Sequence, residues 1–116
     1  MEDTSSETEA LGRLLRDHGG GEVAVLDLRR LGGSWTDFFV VATCTSETHM
    51  GGLERHLRDF CQECGISVLR QSGRPRSLPG ADRARDGWRV IDLGHIVVHL
   101  MDEKTRAFYD LERLYG

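Results

Sequence analysis

The stretch His95–Tyr115, HIVVHLMDEKTRAFYDLERLY, sets an almost continuous apolar run against a short segment crowded with aromatic, acidic and arginine residues. In a strand, alternation places His95, Val97, His99 and Met101 on one face and Ile96, Val98 and Leu100 on the other. The second set is the better core face. The first is apolar enough to be covered and polar enough to meet a partner, so the stretch reads either as core with satisfied polar groups or as a docking face. Asp102 stands where a helix N-cap belongs, since its carboxylate can accept from the free N–H groups of a first turn. The helix it would start has Phe108, Leu111 and Leu114 to bury.

Working back toward the N-terminus, WRVIDL (88–93) and HIVVHLM (95–101) flank a turn at Leu93 and Gly94, which predicts an antiparallel hairpin. DFFVVAT (37–43) is apolar on both faces, as a central strand covered on two sides should be. EVAVLDL (22–28) predicts another strand, RRLGGSWT (29–36) a connection, and ISVLR (66–70) a short third strand. Two helices fill the remaining gaps. In residues 7–17, Leu11, Leu14 and Leu15 share a face, and Gly19, Gly20 and Gly21 stop the helix. After the candidate N-cap Ser46, the residues Met50, Leu53, Leu57, Phe60, Cys61 and Cys64 make an apolar stripe that Gly65 ends. Gly51 and Gly52 interrupt that helix, each at a penalty of about 1 kcal/mol relative to alanine.

These elements describe one α/β domain, with flanking helices on a mixed sheet of about five strands. The length of 116 residues suits one packed core and not two. Residues 1–21 read as an acidic segment and helix, and 22–116 as the α/β domain proper. No run approaches the roughly 18 apolar residues of a membrane span. The opening MEDTSSETEA lacks the basic and apolar regions of a signal peptide, which points to the cytoplasm.

The net charge of −4 argues against a chain devoted to wrapping phosphate. A local excess of cation exists nonetheless in RQSGRPRSLPGADRARDGWR (70–89), which includes Arg74, Arg76, Arg83 and Arg85. Its Gly, Pro and Ser content marks a loop, read either as a solvated connection or as a fringe contact with RNA phosphate.

The chemical motifs are weak. Cys61 and Cys64 form a CxxC at the C-terminal end of their helix, where the dipole opposes a thiolate, and Cys44 stands apart; reduced thiols with no metal are expected. His95 and His99 in one strand lie about 13 Å apart, too far to share an ion. GGSWTD (32–37) resembles the glycine-serine entry of nucleotidyltransferases, yet Phe38 and Phe39 follow Asp37 where a second acid is needed to hold two ions. Asp92 on the neighbouring hairpin could be recruited, yet nothing in the linear pattern demands it. No phosphate-binding G-x-x-x-x-G-K-[ST] loop or G-x-S-x-G elbow is present.

TDFFVVATCTSETHMGGLERHL (36–57), followed by WRVIDLGHIVVHLMDEKTRAFYDLERLY (88–115), resembles the Iojap family of ribosomal silencing factors, RsfS. The resemblance covers Val23 to Tyr115 and is densest from Trp88 onward. It implies a noncatalytic protein of nucleotidyltransferase-like α/β fold, without a cofactor, that binds the large ribosomal subunit. Family members dock on large-subunit ribosomal protein fourteen and block association with the small subunit when nutrients are scarce. Carried onto this chain, the partner-binding residues are Trp88, Asp92, Gly94, His99, Arg106, Phe108, Tyr109, Leu111 and Glu112. With that resemblance, Val97, His99 and the aromatic helix read best as a rigid patch beside the core, on which Trp88 and Tyr109 are anchors whose truncation would weaken binding and spare the fold. A homodimer of the free protein is a further candidate partner state, one that the sequence itself does not fix. The chain departs from the family pattern at Leu93, His95, Cys44 and Tyr115, which replace a tyrosine, an acid, a glycine and a tryptophan. The alternative is a nucleotidyltransferase-like enzyme or nucleotide binder that keeps the fold.

Overall fold

The computed structural model describes residues 4–29, 36–68, 70–72, 87–111 and 113. The arginine positions 74, 76, 83 and 85, Glu112, Leu114, Tyr115 and most of the GGSWTD stretch lie outside the described residues. The chain runs α1 (Thr4–Asp17), β1 (Gly21–Asp27), β2 (Phe38–Cys44), α2 (Glu47–Cys64), β3 (Arg70–Ser72), β4 (Trp88–Asp92), β5 (Ile96–Asp102) and α3 (Glu103–Tyr109). The strands form one sheet in the order β1-β2-β5-β4-β3. β2 and β5 run parallel, Val40 opposite Val98 and Val41 opposite His99, and the other three pairings are antiparallel. The product is a mixed α/β sheet with helices on both faces.

Local chemistry accounts for the element ends. The Ser46 hydroxyl accepts from the His49 N–H at 3.0 Å, relieving a free donor of the first turn of α2. Gly65 ends that helix in the left-handed region at φ 73°, and its backbone N–H returns to the last carbonyls. Asp102 caps α3 by accepting from the Thr105 N–H at 2.7 Å. The β4–β5 hairpin forms with Trp88 opposite Met101 and Asp92 opposite Val97.

The sheet carries an apolar layer on each side. Phe38, Val40, Ala42, Ile91, Ile96, Val98 and Leu100 pack under Leu11 and Leu15 of α1 and Met50, Leu53, Leu57 and Cys61 of α2. On the opposite face Leu26, Leu28, Phe39, Val41, Trp88, Val97 and Met101 pack with Leu111. β2 and β5, covered twice, are buried along nearly their whole length.

Four expectations need correction. Val97, His99 and Met101 are not a surface beside the core: all three are buried, because α3 and the segment after it close over that face. Ile66 and Val68 do not begin a strand; they pack against the α2 layer, and β3 starts at Arg70. Cys64, assigned to the apolar stripe, is exposed, whereas Cys61 one turn earlier is buried. Phe108, expected to be buried by α3, is 78% exposed.

The two glycines inside α2 have different surroundings. At Gly51 an added Cβ would lie 3.9 Å from the Arg89 guanidinium. That side chain crosses the helix to reach Glu54 and, at 3.1 Å, Glu47. Gly52 has open space beside it.

Candidate functional site

The hairpin turn is built by Asp92 and Gly94. Gly94 takes φ 93°, a conformation open to glycine, and its N–H donates to Asp92 Oδ1 at 2.8 Å. The Thr36 hydroxyl donates to Gly94 O at 3.0 Å, and the N–H groups of Asp37 and Phe38 both donate to His95 O at 3.0 Å. The turn is thus strapped to the start of β2. Both residues shape the backbone here, and the Asp92 carboxylate is engaged by its own turn.

α3 is fastened at both ends. At its start Gly87 lies so close that a Cβ there would collide with the Asp102 carboxylate and stand 2.7 Å from Thr105 Oγ1. The Asp102 N–H also donates to Gly87 O at 2.9 Å. Within the helix, the buried Arg106 guanidinium donates to Thr43 Oγ1 at 2.8 Å and Gly21 O at 3.2 Å, tying α3 to β1 and β2. Asp110 then turns left-handed at φ 43°, which ends α3 and brings Leu111 back into the buried layer. Glycine at position 87 was missed in the sequence reading; it follows a glycine-bearing loop, and nothing local distinguishes it from a loop residue.

Between this helix and the sheet lies a series of rings. His99 sits edge-on to Phe39 at 4.5 Å, and the Trp88 indole Nε1–H donates to His99 Nδ1 at 3.1 Å. Trp88 packs on Tyr109 at 4.6 Å, and Tyr109 meets Phe108 edge-on at 4.9 Å. The inner rings are buried, His99 at 3% exposure and Trp88 at 0%, whereas Tyr109 is half-buried and Phe108 is 78% exposed. Burial pushes the His99 pKa down to about 3, so the ring is neutral at ordinary pH.

Of the nine residues assigned to partner binding, eight are therefore described, and they divide. Phe108 and Tyr109 reach solvent. Trp88, His99, Arg106 and Leu111 are buried beneath them, which corrects the reading of Trp88 as a surface anchor whose truncation spares the fold. Asp92 and Gly94 hold the turn.

Little here suits catalysis. Asp37 is partly exposed and faces the exposed His95 at 3.6 Å. Burial raises the thiols of Cys44 and Cys61 to about 11, which suppresses the thiolate a nucleophile requires. Among the described residues no three His, Cys, Asp or Glu side chains gather as a metal cluster, and no helix is long and apolar enough to cross a membrane.

Comparison with known proteins converges on one family. A family model described as "Ribosomal silencing factor during starvation" matches residues 1–116. The chain is 38% identical over 80 residues to ribosomal silencing factor RsfS of Halalkalibacterium halodurans, a match covering 69% of this chain and 61% of that relative. It is 37% identical over 106 residues to the RsfS of Treponema pallidum, covering 91% of this chain and 86% of that one. A crystal structure of a Chromobacterium violaceum protein superposes with a TM-score of 0.78 at 27% identity, over 100% of this chain and 88% of that one. The resemblance carried by the Trp88–Tyr115 region thus extends along the whole sequence, and the chain belongs to the RsfS family of ribosomal silencing factors.

Proposed function

We propose that this chain acts in the cytoplasm as a noncatalytic factor that binds the large ribosomal subunit and blocks its association with the small subunit, repressing translation. The observation that carries this reading is Phe108: a large aromatic ring, 78% exposed, on a short helix pinned to the sheet by Asp102, Arg106 and Leu111. Burying such a ring in a partner gains roughly 2 kcal/mol, and presenting it on a rigid base avoids much of the ordering cost of association. Aromatic anchors of this kind dominate the energetics of protein interfaces.

In this reading the surface that meets large-subunit ribosomal protein fourteen includes Phe108 and Tyr109, and the family resemblance adds Glu112 to the contact. Trp88, His99, Arg106 and Leu111 support it from beneath, and Asp92 and Gly94 set the hairpin on which Trp88 and His99 lie. Arg74, Arg76, Arg83 and Arg85 add a peripheral contact with ribosomal RNA phosphate. A homodimer of the free protein would cover the same ring. The nucleotidyltransferase-like fold serves as a scaffold without a cofactor. The enzyme alternative has weaker support, since Asp37 lies at the surface against His95 and Asp92 is held by Gly94.

The test is co-sedimentation of purified large subunits with the parent, Phe108→Ala and Tyr109→Ala proteins, paired with thermal melts and a subunit-joining assay. Phe108→Ala should melt near the parent and bind weakly, and Tyr109→Ala should bind weakly with a lowered melting temperature, since its ring covers Trp88. Parental binding and inhibition of joining by both would refute the proposal.

A further inference from the structure

Trp88 and His99 form a buried hydrogen-bonded pair among the apolar side chains of the second sheet face. Because His99 Nδ1 accepts the indole proton, the imidazole's own proton resides on Nε2. That Nε2–H is buried and has no hydrogen-bond partner. A donor left without an acceptor in a core is unfavourable, and a leucine at 99 would remove it. What histidine supplies and leucine does not is an acceptor for the indole N–H, at a point where ring contacts lead outward through Trp88 and Tyr109 to Phe108.

We propose that His99 is a positioning residue for the docking face: by accepting the Trp88 indole proton it fixes the plane of the ring on which Tyr109 packs, and through Tyr109 it fixes the direction of Phe108. The terminal torsion of a tryptophan side chain has a broad, roughly two-fold preference, so packing alone tolerates more than one setting of the indole plane. The hydrogen bond selects one. Tyr109 is half-buried, packs on the Trp88 ring and meets Phe108 edge-on. A docking ring held in one direction binds with less loss of freedom than one that wanders. This inference rests on Phe108 being the docking anchor.

The variants are His99→Leu, which removes the acceptor, and His99→Asn, whose Oδ1 stands as many bonds from the backbone as Nδ1 and can accept the same proton. In the ¹⁵N-labelled protein, with Trp35→Phe to isolate one indole, the Trp88 N–H resonance should lie downfield in the parent and in His99→Asn. It should move upfield in His99→Leu, with weakened Trp88–Tyr109 ring contacts. Large-subunit affinity should fall about tenfold in His99→Leu and stay within about threefold of the parent in His99→Asn. The thermal midpoint of His99→Leu should change little, because one buried unpaired donor is exchanged for another. If His99→Leu does not fold, His99→Phe carries the same comparison with a ring that has no acceptor.

Parental affinity in His99→Leu together with a displaced indole resonance overturns the proposal. Lost affinity in His99→Asn with the resonance retained overturns it as well. Phe108→Ala separates the two levels of inference. If Phe108→Ala binds weakly while His99→Leu binds like the parent, docking through Phe108 stands and the role given to His99 falls. If Phe108→Ala binds like the parent, docking through this face falls and the positioning role falls with it.

Discussion

Acidification should destabilise this protein through His99, because the buried ring stays neutral at a pH where the unfolded one takes up a proton. Burial holds the His99 pKa at about 3 in the folded chain, against about 6.5 for a histidine in the unfolded chain. With the folded value depressed, the unfolded state binds the extra proton. Stability is therefore fully present above about pH 6.5 and declines as the pH falls toward the folded value. At about pH 5 an unfolded histidine is protonated in roughly thirtyfold excess, which stabilises the unfolded chain by about 2 kcal/mol relative to its state at about pH 7.5. Since about pH 5 lies well above the folded value, the unfolded histidine alone sets this magnitude. The assay is urea denaturation at both pH values, for the parent and for His99→Leu. The remaining histidines and carboxylates titrate in both proteins and cancel in the double difference. The parent should lose about 2 kcal/mol more than the variant on acidification. Equal losses would refute the claim that His99 is buried as a neutral ring, and with it the tautomer that ties it to Trp88.

Three further variants probe other parts of the chain. Gly52→Ala should stabilise the protein by up to about 1 kcal/mol in chemical denaturation, because the site lies inside α2 with open space around it. Gly87→Ala should destabilise by about 1 kcal/mol or more, since the added Cβ would drive Asp102 from its capping position; a midpoint equal to the parent's would contradict the close approach. Neutralising Arg74, Arg76, Arg83 and Arg85 together should leave the melt unchanged and flatten the salt dependence of subunit binding, with each lost phosphate contact lowering the logarithmic slope by roughly 0.7 to 0.9.

The sequence is most legible where the chemistry is local. Ser46 before α2, Gly65 after it and Asp102 before α3 are recognisable caps, because capping depends on a few neighbouring residues, and the structure shows each in that role. The hairpin around Leu93 and Gly94 is legible for the same reason. The double apolar character of DFFVVAT marks β2 as a central strand. Coverage of the second sheet face is harder to read. Alternation of two assigns Val97, His99 and Met101 to one side of β5 but does not reveal what lies over it, and the mixed polarity of that side suits a surface as well as a covered layer in which His99 accepts from Trp88. In the candidate site the sequence names residues without giving their depths. α3 is only seven residues long, too short for periodicity to separate its buried face from its exposed one, so the burial of Arg106 and the exposure of Phe108 depend on tertiary contacts with Thr43 and Gly21. The close approach of Gly87 to Asp102 joins positions separated by a whole hairpin and leaves no local trace.

The central claim is that one exposed ring on a pinned helix carries ribosome docking, and subunit joining measured with Phe108→Ala tests it most directly. Parent protein added to purified large subunits should suppress joining when small subunits follow. Phe108→Ala, melting at the parental temperature, should need on the order of thirtyfold more protein for the same suppression, the equivalent of about 2 kcal/mol. Suppression at parental concentrations by a fully folded Phe108→Ala would contradict the account.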